Sequence, residues 1–253
     1  TEIYNEDGFE VPRMPLTTSK YILQHRHKLH PNQGPLFNAM VARDVHKDEV
    51  RNNPKAQKAM DDEYAGLRKA GVGLEDEVQE WNEVRKKAKR DGKEVHVGRI
   101  FGLCVEKNAQ DSKTDPLRKF KGRFVFQGND VRNEYFEYAF FEDVASAPAA
   151  LEAGKACDVH GSLDGHVIMQ CDAQQAYIQT DLGGEISTWV RLPREFWPKW
   201  WAKKYTDPVV PLIKALYGHP RAGNCWEKHA EAHFAKAGFL KIPEWNSCYY
   251  NKK

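Results

Sequence analysis

The chain has 253 residues, of which 41% are hydrophobic, and a formal charge of +2, a soluble globular composition long enough for one large or two modest domains. No apolar run approaches the roughly eighteen residues that a membrane helix needs, and the first residues, Thr1-Glu-Ile-Tyr-Asn-Glu-Asp, lack the basic-then-apolar pattern of a secretory leader. Five scattered cysteines (Cys104, Cys157, Cys171, Cys225 and Cys248) with no Cys-x-x-Cys pair exclude a disulfide framework and a zinc ribbon, and point to a reducing, intracellular setting.

Residues 1–52 are polar and irregular, with turn signals at Asp7-Gly8 and Pro31-Asn32, and read as a leader or linker. They carry a histidine-basic patch, His25-Arg-His-Lys-Leu-His30, that lacks a carboxylate or cysteine at ligand spacing and so does not read as a metal site. Asn53-Pro54 is a helix start, an N-cap followed by proline, and Gly71 is the matching stop. Between them Ala56, Met60, Tyr64 and Leu67 share one face. A second amphipathic stretch aligns Leu74, Val78, Trp81, Val84 and Ala88, with Glu75, Asp76 and Glu77 at its start and cations from Arg85 to Arg90 at its end; this predicts a helix ending near Asp91-Gly92.

From Val95 the period changes. Residues 96–105 are rich in β-formers, 108–116 form a polar loop, and Lys119-Phe-Lys-Gly-Arg-Phe-Val-Phe-Gln127 alternates strictly, which predicts a hairpin with a long tip. Residues 83–123 hold thirteen Lys or Arg against six Asp or Glu, a candidate surface for a polyanion. Further on, Ser146-Ala-Pro148 opens a helix through Ala156 that Gly161 closes, and 165–172 reads as a strand. Residues 188–192 and 209–216 are further strands, the latter demoted by Pro211 to an edge or an irregular segment. Residues 225–237 predict a helix with Trp226, Ala230 and Phe234 inward and Gly238 as its stop.

Two features carry chemistry. On the hairpin strand, Lys119, Lys121 and Arg123 project from one side and Phe120, Phe124 and Phe126 from the other, so one face anchors and the other presents three cations suited to a triphosphate. At the end of the 165–172 strand, Ile168-Met-Gln-Cys-Asp172-Ala-Gln-Gln-Ala-Tyr177 delivers a carboxylate with an aromatic residue shortly after it. A third pattern, His229-Ala-Glu-Ala-His233, puts two imidazoles on one helix face. Its Glu falls two places after the first His and turns off that face, unlike a zinc protease.

The blocks Ile168-Met-Gln-Cys-Asp172-Ala-Gln-Gln-Ala-Tyr177, Lys121-Gly-Arg123-Phe-Val-Phe-Gln-Gly128 and Leu212-Ile-Lys-Ala-Leu-Tyr-Gly218, in this chain, resemble motifs of the reverse transcriptase domain of copia-type LTR retrotransposon Pol polyproteins. Lys58-Ala-Met-Asp-Asp-Glu-Tyr-Ala-Gly-Leu67, Trp189-Val-Arg-Leu-Pro-Arg-Glu-Phe196, Gly238-Phe239 and Ser247-Cys-Tyr-Tyr250 are similar to further segments of the same domain, so the likeness runs in order over residues 54–253. After Gly218 this chain departs from the pattern, with His219-Pro-Arg-Ala-Gly-Asn-Cys-Trp226 in place of the usual Leu-Lys-Gln-Ala-Pro-Arg-Ala-Trp.

The resemblance implies an α+β fold: the fingers and palm of a right-hand polymerase over residues 53–253, with an incomplete palm, no thumb, and an antiparallel palm sheet packed on helices. It implies RNA-directed DNA synthesis from dNTPs on an RNA or DNA template-primer, with two Mg2+ ions about 4 Å apart as cofactors. Asp172 becomes the catalytic metal carboxylate, and Lys121 and Arg123 contact the triphosphate. The backbone at Ala176 borders the phosphates, and Tyr177 lies beneath the sugar as a gate against the 2′-hydroxyl. Lys119, Gly218 and Arg221 contact nucleic acid. The family's Tyr-x-Asp-Asp hairpin, with the second and third carboxylates, is expected beyond Lys253, and integrase and ribonuclease H segments are expected as partners in the parent polyprotein. The residues alone leave two other readings open: a non-catalytic nucleic-acid-binding remnant that uses the basic 85–123 region, and an interaction domain with no polyanion partner.

Overall fold

The computed structural model describes residues 42–142, 144 and 147–251. The chain divides into two units, Thr1–Val41 and Ala42–Lys253. The histidine-basic patch belongs to the first and lies outside the described residues, as do Ser146 and Lys253.

In chain order the second unit contains β1 (Ala42–Asp44), α1 (Lys47–Asn52), α2 (Pro54–Lys69), β2 (Gln79–Glu80), α3 (Trp81–Asp91), β3 (Val95–Lys107) and β4 (Lys119–Phe126). There follow α4 (Leu151–Gly161), β5 (Ser187–Arg191), α5 (Trp201–Lys204), β6 (Pro208–Pro211), α6 (Ala222–Lys236), β7 (Phe239–Lys241) and β8 (Tyr249–Asn251). One six-stranded sheet runs β1-β3-β5-β6-β2 with β4 on the other edge of β3, and β7 and β8 form a separate ribbon. The fold is mixed α and β. Its main sheet is not the antiparallel one expected, because β3 and β5 pair in parallel from Val95↔Ser187 to Arg99↔Arg191. One α-helix, a 3-10 turn and long irregular stretches between β4 and β5 supply a crossover in place of a tight turn.

Two elements, β1 and α1, precede Asn53. Arg43 stands opposite Glu106 in the β1–β3 ladder and its guanidinium also reaches Glu49, so a polar network rather than an apolar period orders this entry. α2 forms as its sequence dictates. The Asn53 side chain accepts from the backbone N–H of Lys55 and Ala56, and Ala56, Met60, Tyr64 and Leu67 are its buried face. That face packs on β3 and β4 around Ile100, Cys104, Phe124 and Phe126, in a cluster that extends to Val190, Trp201 and Val210.

The second helix starts later than its period predicts. Residues Glu75–Glu77 form a separate 3-10 turn, and α3 begins only at Trp81. Tertiary pairing overrides the helical pattern here: β2 pairs with Pro208 and Val209, the Glu80 carboxylate accepts from the backbone N–H of Thr206 and Asp207, and the Trp81 N–H donates to the Asp207 carbonyl. From there Trp81, Val84 and Ala88 bury against Val95, Val97 and Val209, and Gly92 closes the helix with a left-handed φ of 61°.

The hairpin is as predicted, with β3 and β4 in register from Ile100↔Phe126 to Lys107↔Lys119. β5 covers the 188–192 expectation. β6 is shorter than 209–216, and beyond Pro211 the chain is irregular but fully engaged: Leu212 N–H donates to the Thr188 carbonyl, Ile213 N–H to Val72 and Ala215 N–H to Thr180. The helix expected from Ser146 starts at Leu151 and buries only Ala153. Residues 166–173 form no strand. They are irregular and exposed, with Val167 and Met169 each 87% accessible, because no neighbour among the described residues offers them a hydrogen-bond ladder. α6 begins earlier than predicted and buries only Ala222. Phe234, expected inward, is 42% exposed, and its ring meets Phe239 and Tyr249 of the ribbon. Among the described residues no helix is long and apolar enough to cross a membrane.

Candidate functional site

The alternation of β4 separates two chemistries. Toward α2 the strand presents Phe120, Gly122, Phe124 and Phe126; a Cβ on Gly122 would lie 2.6 Å from the Ala59 carbonyl oxygen, so only glycine lets the helix approach this closely. On the opposite face Lys119, Lys121 and Arg123 are exposed, as predicted. Their partners across the ladder are Lys107, Val105 and Leu103. Leu103 and Phe101 remain 47% and 36% exposed, so this face offers cations beside an uncovered apolar strip.

Lys107 and Lys119 are directly opposed, an arrangement that costs stability. Among the described residues Lys107, Lys119 and Lys121 have no carboxylate in ion-pair range. The nearest acids are already engaged. Buried Glu106 accepts from Arg118 and from Arg43 at 2.7 Å each, and these hydrogen bonds, Arg118 first, hold its carboxyl below the usual range. Lys119 and Lys121 thus line an open cleft of about 1030 Å3 between the hairpin tip and the start of α2, joined there by Lys55, Lys58, Lys113 and Arg118 and faced by Asp62 and Glu63.

Arg123 turns elsewhere. Its guanidinium lies 5.1 Å from the centre of the Tyr217 ring, which in turn lies 4.3 Å from the Tyr177 ring. Tyr177 sits in a 3-10 turn, Ala176–Gln179, anchored in the core by Ile178 and entered through Gln175 in a left-handed conformation. Residues from the strand, the 3-10 turn and the 212–218 block therefore meet at one place.

Gly218 is the hinge of that meeting. With φ +86° a Cβ would fall 2.1 Å from the Phe126 carbonyl oxygen, while the Tyr217 carbonyl accepts from the Phe126 N–H at 2.7 Å. Its visible role is close backbone approach to the end of β4. Arg221, expected at nucleic acid, donates to the Gly183 carbonyl at 3.1 Å and lies over Gly184, which ties it to the protein's own loop.

Asp172 does not stand at a strand end. It is exposed on the irregular 166–173 segment and makes no hydrogen bond or ion pair with Lys121 or Arg123. Among the described residues no group of three or more His, Cys, Asp or Glu side chains could hold a metal ion, and Asp172 alone cannot complete the coordination of two Mg2+ ions. On α6, His229 and His233 lie 4.3 Å apart while Glu231 is directed to Lys241.

Two residues escaped the sequence reading. Tyr217 joins Arg123 to Tyr177, and only its place beside Gly218 hinted at this. His219 is buried between Phe126 and Phe141, with its Nε2 at 3.3 Å from the Thr188 hydroxyl. Burial, then the charges of Arg221 and His96, push its pKa down to about 3, so it is a neutral core histidine. Comparison with protein-family models, curated proteins and solved structures gives no match.

Proposed function

We propose that this chain is the fingers and incomplete palm of a copia-type RNA-directed DNA polymerase, and that its β4 face binds the triphosphate of an incoming deoxynucleotide. The observation that carries the reading is the chain of contacts Arg123–Tyr217–Tyr177, in which three separate blocks of the resemblance converge. Lys119 and Lys121 add unpaired positive charge along the same strand, where a triphosphate would relieve the Lys107–Lys119 repulsion. In this reading Arg123 and Lys121 hold phosphate oxygens, the Tyr177 ring supports the sugar, and Asp172 supplies one metal ligand of a set that these residues do not complete. The described residues bind and orient; they provide no two-metal step.

Titration of the purified chain with a fluorescent dATP analogue tests the binding half. Lys121→Ala with Arg123→Ala is expected to weaken binding at least about ten-fold, since charge-assisted contacts to phosphate carry the affinity. Tyr177→Ala is expected to narrow the preference for dATP over ATP. Equal binding by the double variant would end the reading. Primer extension with Mg2+ and all four dNTPs is expected to give no sustained product, and sustained product would refute the incomplete metal site.

A second reading, a nucleic-acid-binding remnant with a decayed palm, is favoured by the unpaired and exposed 166–173 segment. It is distinguished by oligonucleotide binding with a steep salt dependence but no deoxynucleotide binding.

A further inference from the structure

Away from the β4 face, α3 and the loop after β4 build a surface with its own chemistry. Three cations lie over three rings: Arg85 is 4.3 Å from the centre of Phe136, Lys89 is 4.1 Å from Tyr135, and Arg132 is 3.5 Å from Tyr138. The rings remain 50%, 56% and 68% exposed even so, and Phe140 beside them is 76% exposed. Ordinary surfaces scatter single aromatics; a group of four within six residues, each with an open edge or face, marks an interaction site.

The loop is built to hold them there. Arg132 exchanges both backbone hydrogen bonds with Val97, the Asn133 side-chain oxygen accepts from the N–H of Tyr135 and Glu137, and Ala139 N–H donates to the Val131 carbonyl. Phe136 is held at φ 68°, a region that bulky residues rarely enter. The surrounding charge is one-sided. Lys86, Lys87, Arg90 and Lys93 are exposed on or just after α3. Glu83, Asp91 and Asp130 form exposed or half-exposed ion pairs with Lys86, Arg90 and Arg132, weak surface pairs that a phosphate can displace, whereas Glu94 turns to His96, Glu134 is buried under the Val95 N–H and Glu137 turns to Asn133. Lys87 and Lys93 have no carboxylate in ion-pair range among the described residues.

Flat apolar faces backed by cations and flanked by exposed positive charge suit a ligand that carries planar rings on a polyanionic backbone. We propose that Tyr135, Phe136 and Tyr138 form a stacking platform for unpaired bases of a single-stranded nucleic acid, with Lys86, Lys87 and Arg90 along its phosphates. A duplex would bring charge but no free base faces, and an acidic protein segment would use the cations while leaving the rings idle. The proposal does not depend on nucleotide binding at β4.

Fluorescence anisotropy of the full chain with a labelled single-stranded dodecamer tests it against the same length of duplex, an abasic strand and an acidic peptide. Tight binding is expected to the single strand only. Changing Tyr135→Ala, Phe136→Ala and Tyr138→Ala together is expected to weaken it at least about ten-fold while leaving the salt slope unchanged, because the cations remain. Lys86→Gln with Lys87→Gln is expected to flatten that slope. The abasic strand needs no variant and so is immune to a folding defect: binding equal to that of the intact strand overturns the proposal, as does preference for duplex or for the peptide. Lys121→Ala with Arg123→Ala should leave this binding unchanged, which separates failure here from failure at β4.

Discussion

β4 and residues 166–173 are both short runs with strong strand-forming character, yet they end in opposite environments. In β4, Phe124 and Phe126 are 2% and 1% exposed, held by the ladder to β3 on one side and by α2 across one face. In the second run Val167, Ile168 and Met169 are 87%, 60% and 87% exposed. The difference is not in the residues but in what meets them. A strand is stable when its backbone groups are paired and one face is covered, and β4 has both within the second unit. The other run has neither among the described residues; Ile168 lies over Gly161, where any side chain would collide, and the His166 ring meets that of His160.

The sharpest way to break the β4 side is at Gly218. Valine there would need φ +86° and would drive its Cβ into the Phe126 carbonyl. Gly218→Val is expected to abolish the cooperative unfolding transition seen by circular dichroism, the largest effect in this set. Next comes Phe126→Ala. The ring lies on Gly98, which has no side chain to refill the space, so a loss of about 3–5 kcal/mol in urea unfolding is expected.

His219 gives the same region a pH signature. Its folded pKa, about 3, lies below the unfolded value near 6.5, so the unfolded chain binds the proton more tightly. Its contribution is complete above about pH 6.5 and is lost as pH falls toward 3, with a total on the order of a few kcal/mol. Urea midpoints measured from pH 7 to 4 should fall more steeply for the wild type than for His219→Gln, which removes the titration. Parallel slopes would place the imidazole in water rather than between Phe126 and Phe141.

Much of the β4 side was legible beforehand. The α2 face follows from a 3.6-residue period behind an Asn-Pro cap, and the two-faced β4 strand follows from strict alternation. What escaped depends on partners distant in sequence. Glu80 gives its carboxylate to Thr206 and Asp207 and so stops α3 from starting at Leu74; Tyr217 bridges Arg123 and Tyr177 although each lies in a different block. The 166–173 run shows the converse failure: its β-rich sequence states a propensity, and propensity without a neighbour does not make a strand.

That last point can be measured. Val167→Ser with Met169→Ser exchanges two apolar side chains for hydroxyls at positions that are already almost wholly in water, so there is little buried area to lose. The expected change in unfolding free energy is within about 0.5 kcal/mol, while solubility should rise because an exposed apolar run of strand formers is an invitation to intermolecular pairing. The equivalent polar exchange at Phe124 should be severe, and the ratio of the two effects measures how far environment, rather than composition, separates the two runs. If the Val167 and Met169 changes instead cost more than about 2 kcal/mol, the segment is packed in solution. Asp172 would then sit at the end of a covered strand, which would strengthen its assignment as a metal ligand.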